Sequence, residues 1–194
     1  MIGFAPMASL PMHALTLTCH CETRSAAVRS VAAHVSRKPG VLAVTYILAG
    51  DLDRLQLPAP RPPRIVNRLW QHTCFELFIT RIGLPGYHEF NFSPSAEWAA
   101  YEFAGYRGGA AFAHEELDPR IAVRRAAGEL ELDAVIRLDC LSPMHPGARL
   151  SLAVSAVVED RDGVLSYWAL RHPPGRPDFH HPDAFALQLD EARH

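Results

Sequence analysis

From Glu129 to Leu138 the chain alternates with a period of two. Leu130, Leu132, Ala134, Ile136 and Leu138 fall on one side of an extended backbone, and Glu129, Glu131, Asp133 and Arg137 on the other. A helix would scatter those apolar groups around its axis, so the pattern specifies a strand with one face buried, the usual condition of an antiparallel sheet. Further on, Leu150 to Val158 and Val164 to Leu170 flank Glu159-Asp160-Arg161-Asp162-Gly163. The Asp-Gly pair supplies the positive φ that a tight hairpin turn requires.

The rest of the chain repeats this grammar. Leu15 to Cys19, Val28 to Ser36 and Val41 to Leu48 read as early strands, although the alanines of the second also suit a helix. Asp51 to Pro63 is too rich in proline to pair inside a sheet and is expected as a surface loop, and Ala184 to Leu189 reads as a last strand. About ten strands at short spacing, without intervening helices, predict an all-β fold: an antiparallel β-sandwich of jelly-roll or immunoglobulin-like form. Residues 13–194 are expected to form a single domain behind an N-terminal extension over residues 1–12.

Charge and composition narrow the function classes. A formal charge of −2 and a pI near 6.6 provide no basic field for nucleic acid or anionic lipid. No run of about 18 apolar residues is present to span a membrane. Met1 to Pro11 lacks the basic start and long apolar stretch of a secretion signal, so a cytoplasmic address is expected. Of four cysteines, Cys19 and Cys21 are too close to bridge easily, while Cys74 and Cys140 fall in expected strands. All four read as small buried thiols in a reducing compartment. Cys19-His20-Cys21 has no second pair to complete a zinc site.

Two neighbouring segments, 69–79 and 87–93, carry an unusual load of polar groups around the turn 82–86. Burying Phe75 and Leu77 with Phe90 and Phe92 predicts a register with 75 opposite 90 and 77 opposite 88. That register sets Glu76 directly against Glu89, Cys74 against Asn91 and Phe78 against Tyr87. Trp70 and His72 are expected on the same polar face. Opposed carboxylates repel, so an arginine such as Arg107 or Arg171, a metal, a shared proton or a hydroxylated ligand must compensate them. A tryptophan has little reason to sit on a merely solvated face. A third cluster, 167–183, offers Trp168 at a strand end followed by a stiff proline-rich loop. His172, Asp178, His180, His181 and Asp183 are its candidate metal ligands, although adjacent histidines point in different directions.

Laid out in this way, the chain resembles the DOMON-like proteins of bacteria. The resemblance rests on residues 69–79 (Leu-Trp-Gln-His-Thr-Cys-Phe-Glu-Leu-Phe-Ile) and 87–95 (Tyr-His-Glu-Phe-Asn-Phe-Ser-Pro-Ser) with Glu97 to Tyr101. It continues through Tyr167 to Leu170 and Pro177 to Asp183. It implies a β-sandwich similar in fold to family-nine carbohydrate-binding modules, which clamp a sugar between tryptophans and hydrogen-bond it with acids and amides. It carries Trp70 and Glu76 to the clamp strand and makes Trp168 the second tryptophan. The haem-binding branch of the same group implies an axial methionine, for which Met144 is the candidate. The expected function is non-catalytic binding of a carbohydrate-like small molecule through Trp70, His72, Glu76, Tyr87, Glu89, Asn91, Trp168 and Arg171, without a cofactor. The alternatives are haem binding, or an enzyme using Glu76 and Glu89 or the 172–183 loop. Directly opposed carboxylates, about 5 Å apart, would suit a retaining glycosidase. The sequence leaves oligomeric state open.

Overall fold

In the computed structural model, which describes residues 12–111, 117–142 and 145–191, twelve strands build two packed antiparallel layers. They are β1 (Met12–Cys19), β2 (Val28–Lys38), β3 (Val41–Gly50), β4 (Cys74–Arg81), β5 (Tyr87–Phe92) and β6 (Trp98–Phe103). The chain continues through β7 (Gly109–Ala111), β8 (Arg120–Ala126), β9 (Glu129–Arg137), β10 (Leu150–Glu159), β11 (Leu165–Ala169) and β12 (Leu187–Leu189). One layer runs β7-β6-β5-β4-β10-β11, with β12 also beside β10, and the other runs β1-β2-β3-β9-β8. Strand β1 joins them: Met12 to Leu17 pair with β2, whereas Thr18 and Cys19 pair with Ala169 and Trp168 of β11. The sequence therefore predicts the fold class correctly, with two more strands than expected.

The period-two segments do what their pattern dictates. Leu130, Leu132, Ala134 and Ile136 of β9 are fully buried and face Leu42, Val44 and Leu48 of β3 within one core. Phe75, Leu77, Phe90, Phe92 and Val154 close that core from the other layer, as expected. Tyr46 crosses it, stacking on Phe75 at 4.9 Å and donating its hydroxyl to the Glu76 carbonyl at 2.7 Å. The β10–β11 hairpin turns at Asp162-Gly163, where Gly163 has φ +80° and the Asp160 carboxylate accepts from the Asp162 and Val164 amides.

Three local expectations need correction. Cys140 lies in a single helical turn (Leu138–Leu141), because that short apolar stretch caps the end of β9 and does not extend it. Cys21 is exposed, since it falls in the turn after β1. The β4–β5 register differs by two residues from the expected one: Phe75 faces Phe92, Leu77 faces Phe90 and Ile79 faces His88. This pairing sets both phenylalanines against apolar partners and brings in Ile79, where the expected one would leave Phe92 opposite Thr73. A shift of two preserves the face of every side chain. It does, however, change which polar groups meet.

The two layers differ in their outer faces. Strands β2, β3 and β9 alternate between buried and half-exposed, whereas β4, β5 and β10 are buried on both faces over almost their whole length. The outer face of that second layer holds the polar groups.

Candidate functional site

The outer face is read most simply as rungs across the sheet. One rung is Ser155-Glu76-Asn91, the next Ala153-Phe78-Glu89-Tyr101, and the next Ser151-Thr80-Tyr87-Phe103. Glu76 thus opposes Asn91 and Glu89 opposes Phe78. The two carboxylates are diagonal neighbours on adjacent rungs, not directly opposed as the sequence suggested. On the far side of Glu76, Val157 stands between Cys74 and Tyr167.

Two segments roof these rungs. Before β4, Arg68 adopts a left-handed conformation (φ 64°) that starts a 3-10 turn over Leu69–Gln71, and this turn puts Trp70 at the rim, 48% exposed. The Arg68 amide donates to the Tyr101 hydroxyl at 3.2 Å, fastening the turn to β6. After β11, the proline-rich loop folds back over the face. Asp178 anchors it, accepting from Arg107 Nη2 at 2.8 Å and the Tyr106 hydroxyl at 2.7 Å. His180 continues the link. The Tyr87 hydroxyl accepts from the Arg107 amide (3.2 Å) and lies 2.9 Å from His180 Nδ1, which leaves Nε2 aimed at Glu89, 3.7 Å away. With Nδ1 as the acceptor, the ring carries its proton on Nε2.

Between floor and roof lies a cavity of about 370 Å³, lined by Glu76 and Glu89 below and by Trp70, Tyr101, Phe103, Tyr167, Phe179 and Pro177 on its walls, with Arg107, His180 and Val157 completing it. The volume sits at the small end of the range of about 300–1,000 Å³ typical of small-molecule sites.

Burial governs its electrostatics. The Glu76 carboxyl is held well above the usual carboxylate range by burial, and the neighbouring Glu89 pushes it further. Burial raises Glu89 to about 7 against the opposing pull of the Asn91 hydrogen bond (Nδ2 to Oε1, 2.7 Å) and of Arg107. His180 is pushed down to about 4, first by burial and then by Arg107, so it is neutral near pH 7. Protons on the carboxyls therefore do in the free protein what an opposing cation would otherwise do. Glu76 makes no side-chain hydrogen bond or ion pair among the described residues, and beside it Asn91 Oδ1 and Ser155 Oγ are buried without partners.

The expected site residues separate into those this face gathers and those it does not. Trp70, Glu76 and Glu89 line the cavity, Asn91 braces Glu89 from beneath, and Tyr87 holds His180. His72 is exposed and outside the cavity lining: it follows the 3-10 turn, and its Nδ1 lies 2.7 Å from the Glu159 carboxylate. Arg171 is exposed and outside the lining, so the nearby arginine is Arg107. Trp168 is turned inward: it packs in the main core and its Nε1 donates to Ser166 Oγ at 3.1 Å. On so short a strand adjacent aromatics must take opposite faces, and Tyr167 occupies the position expected of Trp168. Among the proposed metal ligands, His172 Nε2 is 2.8 Å from the Thr18 carbonyl, and His181 Nδ1 accepts from the Asp183 amide. Asp178 and His180 hold the roof as above. No group of three or more His, Cys, Asp or Glu suited to a metal occurs among the described residues. Met144 lies outside the described residues. Tyr101 and Phe103 were not foreseen, although their alternation in Tyr101-Glu102-Phe103, one tight turn after β5, was the signal that could have placed them on this face.

No family model matches the chain, and no curated protein matches its sequence. Its fold, however, is that of known structures. The crystal structure of a candidate carbohydrate-binding protein from Bacteroides uniformis aligns over 90% of this chain and 83% of its own, with 14% identity and a TM-score of 0.62. A family 9 carbohydrate-binding module from Caldicellulosiruptor kristjanssonii, in complex with glucose, aligns over 85% of this chain and 78% of its own, with 10% identity and a TM-score of 0.51. At such identities the likeness is one of fold.

Proposed function

We propose that the chain is a non-catalytic carbohydrate-binding module of DOMON-like type, taking a ligand of mono- or disaccharide size in the cavity between Trp70, Tyr101, Tyr167 and the Glu76–Glu89 floor. The observation that carries this reading is a cavity combining aromatic walls with buried acids. A sugar ring has an apolar C–H face for the aromatics and hydroxyl edges for the carboxyls. The fold shared with a glucose-bound module lends support.

A thermal-shift screen of mono- and disaccharides, followed by titration of the hits on the parent chain and on Trp70→Ala, tests the reading. Loss of the half-exposed Trp70 wall should weaken binding by about 1–3 kcal/mol, the range for an aromatic anchor. A stable chain that binds no sugar, or binds one equally well without Trp70, refutes it.

A further inference from the structure

We propose that the ligand is a sugar bearing an ammonium group, seated with its cation over Glu76 and Glu89. This inference rests on the carbohydrate reading and narrows it.

The argument starts from what could neutralise the floor. Glu76 is 4% exposed, lines the cavity and has no hydrogen-bond or ion-pair partner among the described residues. The cationic groups nearby are engaged elsewhere. Arg107 gives its Nη2 to Asp178 and its Nε to the Tyr106 hydroxyl, at the solvent rim. His180 is neutral, with Nδ1 tied to Tyr87. The floor is therefore two acids with no direct ion pair to an arginine or lysine among the described residues, Arg107 acting on Glu89 only from the rim. The walls above it are Trp70, Tyr101, Tyr167 and Phe179, whose ring faces attract a cation. An ammonium has three donors and no acceptor, which matches a floor of carboxyl oxygens. A neutral hydroxyl would satisfy the hydrogen bonds but supply no counter-charge to the two acids.

Binding should then expel protons, because an ammonium stabilises the ionised carboxylates. The titratable groups on the cavity side near Glu76 are Glu89, Cys74 and the Tyr167 hydroxyl, with the Tyr46 hydroxyl behind it on the core side of the sheet. The groups near Glu89 are Cys74, Asn91, Arg107, His180 and Tyr87. Within these two sets, only Glu89 and Glu76 can release a proton near neutral pH, since His180 is already neutral and burial holds the thiol and the phenols high.

The test is titration calorimetry of the full chain with D-glucosamine, D-glucose and N-acetyl-D-glucosamine at about pH 6.5, where the amine is charged and Glu89 still largely protonated. Two buffers of different ionisation heat, neither of them a primary amine, report the protons exchanged. Glucosamine should bind about tenfold or more tighter than glucose, the scale of one charge-assisted hydrogen bond, and release protons; the N-acetyl sugar should lose the advantage. Glu76→Gln should narrow the glucosamine-to-glucose ratio to a few-fold. Should that variant not fold, the proton release of the parent chain decides. Glucosamine binding no tighter than glucose, or without proton release, overturns the ammonium and leaves the sugar reading standing. A preference that survives in folded Glu76→Gln removes Glu76 from the role. No binding by any of the three sugars overturns the ammonium, and with no hit in the mono- and disaccharide screen the sugar reading falls with it.

Discussion

Replacing Glu89 by glutamine should make the protein more stable at high pH and do little at low pH. Glu89 is 4% exposed and its carboxyl is raised from 4.5 to about 7, first of all by burial. Below about pH 4.5 the group is protonated in both folded and unfolded chains, and folding bears no penalty. Between about 4.5 and 7 the unfolded chain releases the proton while the folded chain keeps it, so stability falls as pH rises. Above 7 the loss is complete. At about 1.4 kcal/mol per pKa unit, that interval corresponds to about 3 kcal/mol. Glutamine keeps the shape and can still accept from Asn91 Nδ2, but it does not titrate. Buried His145 and His180, both lowered to about 4 chiefly by burial, contribute the opposite slope between about 4 and 6.5. The effect of His145, which does not touch residue 89, is common to both proteins and cancels in the difference. His180, 3.7 Å from Glu89, and Glu76, which Glu89 pushes upward, respond to the substitution. Urea unfolding of parent and variant from pH 4.5 to 8 measures that difference directly. It should move by about 3 kcal/mol in favour of glutamine, mostly between pH 5 and 7. A difference constant to within about 0.5 kcal/mol across the range would mean that Glu89 ionises freely, and would refute the account of the cavity floor.

Phe75→Ala should cost about 3–5 kcal/mol in urea unfolding, because it opens a void beneath Tyr46 in the main core; a loss under about 1 kcal/mol would contradict the packing. Asp178→Ala removes the acceptor for Arg107, Tyr106 and the His180 amide, so limited proteolysis should cut faster within 171–181. An unchanged cleavage pattern would show that this anchor does not hold the roof. Protein produced with ample haem should show no stoichiometric Soret absorbance, and a band abolished by Met144→Ala would restore the haem alternative.

The parity of the polar face was legible in the sequence, and its registration was not. Side-chain alternation assigns Glu76, Glu89, Asn91 and Tyr87 to one face whatever the pairing, since offsets of two leave faces unchanged. Deciding between such offsets requires weighing every apolar match along both strands. Phe92 against Phe75 was the match that settled it. Trp168 posed a different difficulty. On a five-residue strand with two adjacent aromatics, nothing local says which faces inward; the neighbouring Val157–Tyr167 pair decides it. The run 69–79 looks continuous in composition, but its strand begins only at Cys74, after a 3-10 turn over Leu69–Gln71, so His72 falls outside the cavity lining. The roof was only partly visible. Proline and aspartate in 173–183 announce a rigid loop, but its anchors Tyr106 and Arg107 lie far away in sequence.

The joining of both layers through β1 also fixes when the molecule can be finished. The Thr18 carbonyl meets His172 Nε2, and His20 meets the Gly175 carbonyl, across 154 and 155 residues of chain. While the chain emerges from a ribosome, β1, β2 and β3 can zip as neighbouring hairpins. The open flank of β4 must wait for β10, and the far end of β1 must wait for β11. Contacts so distant along the chain slow folding and leave unpaired strand edges exposed in the interim. The cavity is bounded by β4, β5, β6, β10 and β11 together, so it comes into being only with that final closure, and any ligand meets a completed protein.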